Sequence, residues 1–137
     1  MADFVTHAAA DNLRLSRSRV ITEPEDGTYD CIQIPRFAFL RDIWVFVSVA
    51  GSSDTVQLGF VGNGASADAD YFFSADDLAV TVAGMKKAHL RNTAGDIFNV
   101  PFQGLWCQDG SGMIYMTVGT TQSTGTFIVF ADYSVLH

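Results

Sequence analysis

The stretch Arg41–Gly51, "RDIWVFVSVAG", alternates as a strand must. Ile43, Val45, Val47 and Val49 fall on one side, and Trp44, Phe46, Ser48 and Ala50 on the other. Both sides open apolar, so its first half is expected to be buried on two faces. A run of β-branched and aromatic residues at period two cannot sit as a helix. The same period recurs through the chain. It appears in "TYDCIQIPRF", in "TVQLGF", in "GDIFNVPFQGLW", in "GMIYMTVG" and in "GTFIVFADYSVL". Turn residues punctuate these runs, and Pro35 and Pro101 end two of them. No segment carries a sustained helical period. The one helical turn expected is Ser74–Leu78, with Ser74 as cap and Asp77 reaching back to it. These signals predict an all-β fold, an antiparallel β-sandwich or jelly roll with an extended N-terminal arm. "TVQLGF" is expected to return on Ile43–Val49 as a hairpin, and the last two runs to form another. "VTVAGMKKAHL" reads as an exposed bend.

Composition supports a turn-rich β protein: thirteen Asp stand against two Glu among 137 residues. Asp favours turns and caps, whereas Glu favours helix interiors. Charged residues make up only 17% of the chain and hydrophobic ones 48%. A surface poor in charge is suited to covering by other protein. The formal net charge is −7, which repels phosphate backbones and argues against a nucleic-acid partner. No apolar run has the length of a membrane span, and no signal peptide is visible. Cys31 and Cys107 stand in no metal-ligand spacing and are read as free thiols in a reducing cytoplasm.

The first 27 residues differ from the rest. Arg14, Arg17 and Arg19 fall within six positions with no acid between them. Leu13 and Leu15 alternate with Arg14 and Ser16, as in a short strand laid on another surface. Residues 1–22 carry +1 (three Arg against Asp3 and Asp11), leaving −8 for the remainder. The expected division is an arm, 1–27, and a sandwich domain, 28–137. The arm would dock on an acidic partner through Leu13, Arg14, Leu15, Arg17 and Arg19; an ordinary edge strand is the alternative.

The acidic stretch "VGNGASADADYFFSADDLAV", Val61–Val80, is the place to look for chemistry. A calcium loop of the EF-hand kind needs a Glu at its end, and none follows Asn63, Asp68 and Asp70 at that distance. These Asp residues read as turn and cap formers, with an opportunistic calcium ion as the minor alternative. His7, His89 and His137 share no close spacing. No nucleophile elbow, phosphate loop, CxxC or HExxH occurs. No enzyme, cofactor or metal is therefore expected. Phe72 and Trp106 stand as aromatic candidates for an interface or for the core. Trp106, with Gln108 and Asp109 beside it, could also stack on a sugar.

One pattern resembles a known family. "RDIWVFVSVAGSSDTVQLGFVGNGASADADYFFSADDLAV" followed by "GTFIVFADYSVL" is similar to small accessory virion proteins of tailed bacteriophages. The matching positions are Ile43–Val49, Val56–Phe60, Gly62, Gly64, Asp68, Asp70, Tyr71, Ala75–Leu78 and Phe127–Tyr133. The resemblance implies a capsid decoration (cement) protein on the virion surface, made in the host cytoplasm. It implies a homotrimer bridging subunits of the major capsid protein. A receptor- or carbohydrate-binding module of a tail and another head–tail component are the alternatives.

Overall fold

A computed structural model describes residues 13–91, 97–101 and 104–135 of the chain. Among the described residues, twelve strands and one short helix follow in order: β1 (Leu13–Arg17), β2 (Ile21–Thr22), β3 (Gly27–Ile34), β4 (Ala38–Val49), β5 (Val56–Gly62), β6 (Ala65–Phe73), α1 (Ala75–Leu78), β7 (Gly84–Lys87), β8 (His89–Arg91), β9 (Ile97–Pro101), β10 (Leu105–Trp106), β11 (Gly112–Val118) and β12 (Thr126–Val135). The pairing is antiparallel throughout, as the alternation predicts.

Two sheets form the sandwich. The six-stranded sheet runs β1-β12-β4-β10, with β2 also on β12 and β7 also on β4. The four-stranded sheet runs β3-β11-β5-β6, and β8 and β9 make a separate ribbon. The core lies between the sheets. Ile43, Val45 and Val47 of β4, Phe127 and Val129 of β12, Val56 and Leu58 of β5, and Ile114 and Met116 of β11 are fully buried there. Burying each such side chain contributes roughly 1.5–3 kcal/mol.

Three expectations are corrected. Strands β4 and β5 do not form a hairpin, because they lie in different sheets, and the same holds for β11 and β12. Residues 50–55 and 119–125 are instead arches from one sheet to the other. The two arches meet at Gln122, which is 1% exposed. Its Oε1 accepts from the backbone N–H of Ser52 (2.9 Å) and Ser53 (3.1 Å), and its Nε2 donates to the carbonyls of Ser53 (3.0 Å) and Thr120 (3.0 Å). A buried amide with both ends satisfied holds loops that would otherwise lack backbone partners. The segment expected as an exposed bend supplies β7, with Met85 opposite Phe46 and Lys87 opposite Trp44. The outer half of β4 is thereby only partly covered, and Phe46 stays 36% exposed.

The acidic stretch forms the β5–β6 hairpin. Asn63 (φ 53°) and Gly64 (φ 74°) are its two turn residues, the positive pair that a type I′ turn demands. Asp68 and Asp70 then lie on β6. Strand β6 crosses so close over Gly59 that a Cβ there would strike the Asp68 carbonyl and the backbone of Ala69. Register shifts on both sides of Phe60 accompany that crossing. Helix α1 follows as expected: Ser74 Oγ accepts from the Asp77 N–H at 3.3 Å, and Ala79 closes it in the left-handed region.

Candidate adhesive surface

The exposed side of the six-stranded sheet is apolar at its centre. Inward residues of β4 and β12 are buried, so Trp44, Phe46, Ile128 and Phe130 point outward by alternation. The ladder sets Trp44 opposite Phe130 and Phe46 opposite Ile128. Leu15 of β1 and Met85 of β7 extend the patch on either side, 72% and 57% exposed. Leu15, Trp44, Met85 and Phe130 line a shallow slot of about 250 Å³. Apolar patches of this kind, ringed by charge, mark protein contact surfaces. The ring here consists of Arg17 opposite Phe130, the Arg41–Asp132 pair, and Lys87 at 3.5 Å from Asp42. Lys87 also lies over the Trp44 ring at 5.9 Å.

A second cluster stands where β10 joins β4. Trp106 pairs with Phe39 in the ladder. Its indole N–H donates to Gln108 Oε1 at 2.8 Å, and its ring lies 6.5 Å from that of Phe37. Phe37 is exposed and holds a left-handed backbone, φ 65°. A bulky side chain in that region is strained. Arg36 caps the Phe37 ring at 4.6 Å and donates from Nε to the Gln108 carbonyl at 3.0 Å. The hairpin turn steadies this cluster: Asn63 Nδ2 donates to the Trp106 carbonyl (3.1 Å), and Asn63 Oδ1 accepts from the Asp109 N–H (3.0 Å). Aromatic and Arg groups in one fixed, exposed group are typical of binding hot spots.

The residues singled out from sequence divide between several places. Leu13, Arg14, Leu15 and Arg17 lie on β1, which pairs along β12 as an edge strand. Arg14, Leu15, Arg17 and Arg19 are exposed, and Arg19 lies over the Tyr29 ring at 6.0 Å. Residues 1–12 of the expected arm lie outside the described residues. Phe72 is 2% exposed and makes edge-on contacts with Phe60 (6.0 Å) and Tyr71 (5.0 Å), so within this chain it is a core residue and no surface anchor. Trp106 is half-buried in the cluster just described. Sequence reading passed over Phe37 and Arg36, because nothing in "IPRFAF" announces a left-handed Phe. It also missed Met85, hidden in the supposed bend.

Few groups among the described residues suit chemistry. Among the described residues no three or more His, Cys, Asp or Glu come together as metal ligands. Cys31 and Cys107 are free thiols. Burial pushes Cys31 up to about 12 and raises Cys107 as well, which suppresses the reactive thiolate. Burial, and then Asp68, raise Tyr71; burial, Asp68 and Asp70 raise Tyr115. No described helix is long and apolar enough to cross a membrane.

No protein-family model matches the chain, and no curated protein matches it. Two solved structures are similar. One is a chain of the acidic stable capsid of Helicobacter pylori bacteriophage KHP30, with a TM-score of 0.62 at 10% identity, covering 90% of this chain and 87% of that one. The other is a chain of the cyanophage Pam1 capsid asymmetric unit, with a TM-score of 0.59 at 15% identity, covering 91% and 86%. The chain therefore has an all-β sandwich fold that it shares, over nearly its whole length, with chains found in two phage capsids.

Proposed function

We propose that this protein is a structural component of a phage virion, of the capsid decoration (cement) type, and that it acts by adhesion. The observation that carries the reading is the likeness of fold, over about nine-tenths of the chain, to chains from two phage capsid assemblies. The surface supports it: an exposed apolar sheet face, a strained aromatic cluster and free thiols held in their unreactive form. In this reading the chain sits on the shell surface, bridges subunits of the major capsid protein and associates with its own copies as a homotrimer. Leu13, Arg14, Leu15, Arg17, Arg19 and Trp106 contact the shell or a sister subunit. Each contact need only be weak, because many symmetry-related copies attach at once. Binding to assembled shell but not to free subunits stabilises the shell by mass action.

Mass spectrometry of purified virions is the first test, with the protein expected in many copies. Shell binding is the second. Arg14→Glu with Arg19→Glu, and separately Trp106→Ala, should each weaken attachment to expanded capsids by roughly tenfold or more. Absence from virions would overturn the reading. Fivefold- or sixfold-related rings at the portal, seen by electron microscopy, would move it to a head–tail component.

A carbohydrate-binding tail module is the second reading, favoured by the exposed Phe37 and half-buried Trp106 rings beside Gln108 and Asp109. Glycan binding that is lost on Trp106→Ala would establish it.

A further inference from the structure

The two sheets of the sandwich carry opposite charge. The strands of the six-stranded sheet hold five basic residues (Arg14, Arg17, Arg41, Lys86, Lys87) and two acids (Asp42, Asp132), a net +3. The strands of the four-stranded sheet hold Asp30, Asp68 and Asp70 and no basic residue, a net −3. Five of the chain's eight basic residues thus lie on strands of one sheet, and three of them, Arg17, Arg41 and Lys87, ring its apolar outer face.

We propose that this face is covered by a second copy of the same chain, seated by its acidic β6 flank. The inference rests on the structural-protein reading and names which partner covers one surface. Strand β6 is an edge of its sheet. It presents Asp68, Asp70 and the exposed ring of Tyr71, an apolar body with a polar tip. Next to it, α1 adds the exposed Asp76. The receiving slot offers Leu15, Trp44, Met85 and Phe130, ringed by Arg17 and Lys87. Apolar surface meets apolar surface and acid meets base, the arrangement that fixes partner and register in protein interfaces. Two like faces brought together would instead set Arg17 and Lys87 against their own kind.

The contact joins two different surfaces and is therefore heterologous. A face and a flank of one sandwich point in different directions. Repeating the contact turns each copy relative to the last and lets the series close into a ring, whereas stacking face on opposite face would run on as a filament.

Light scattering and sedimentation of the purified full-length chain test this without any capsid. The wild type is expected to form a closed oligomer that does not grow with concentration. Arg17→Glu with Lys87→Glu should weaken it by roughly tenfold or more, and so should Asp68→Lys with Asp70→Lys. The chain carrying all four reversals should reassemble, because the charges again oppose one another. Leu15→Ser, at a site too exposed to disturb folding, should weaken assembly without any change of charge. A thermal melt on each variant checks that it folds. A monomeric wild type overturns the proposal, as does a fourfold variant no better associated than the two parent pairs. Either failure leaves the virion reading standing, since that depends on finding the protein in particles.

Discussion

At the scale of the residue, the thiols show how packing sets chemistry. Cys31 lies on β3, where burial is the main cause that holds its thiol up to about 12. Its folded value thus stands above the ordinary 9.0 of the unfolded chain. Below pH 9 both states are protonated and the group does not alter stability. Above it the unfolded chain releases a proton that the folded chain keeps, so stability falls as pH rises toward 12. The slope for one group is at most about 1.4 kcal/mol per pH unit. Urea titrations between pH 8 and 11 should show this decline, and Cys31→Ala should flatten it. At pH 7 the wild-type thiols should react slowly with a disulfide reagent in the native state. Sequence reading caught the inert character of both cysteines. It could not see Phe37, whose left-handed backbone is set by the hydrogen bond from its own N–H to the Cys107 carbonyl (2.8 Å), a partner 70 positions away.

At the scale of the element, strand existence was legible and strand pairing was not. Alternation marked β3, β4, β5, β11 and β12 because each has one face in the core. Pairing depends on where a connection leads, and a short polar turn looks alike whether it folds a strand back or carries it across. Ser52, Ser53 and Asp54 suit a hairpin by composition, yet they arch between sheets, where Gln122 gathers the backbone groups of Ser52 and Ser53. The true hairpin announced itself as Asn63-Gly64 between two strands, but the aspartates after it were read as turn and cap formers, whereas Asp68 and Asp70 lie on β6. Gln122→Ala is expected to destabilise the protein by about 2–3 kcal/mol, because it strands several backbone donors and acceptors at once. Equilibrium denaturation measures this, and a loss under about 0.5 kcal/mol would show that water replaces the amide.

At the scale of the whole molecule, the all-β fold class was legible, since period-two runs and turn residues fill the chain. The place of the exposed apolar face was not. It required knowing that β7 joins β4 and that β1 joins β12, which brings Leu15 and Met85, 70 positions apart, to one slot. The arm expected over 1–27 is, from Leu13 to Arg17, a strand of the sandwich. Strand β12 lies between β1 and β4 and touches β2 as well. Removing it by ending the chain at Gly125 should therefore abolish folding altogether. A truncated chain with native circular dichroism and a cooperative melt would contradict that role.

The place of β12 also bears on manufacture. Strand β4, the longest and greasiest of the fold, leaves the ribosome long before the neighbour that shields its flank. Until β12 has been made, that hydrogen-bonding edge stays open to any passing polypeptide. Rapid overproduction is therefore expected to favour tangled inclusion bodies over native product, and a chaperone or low temperature to slow that loss.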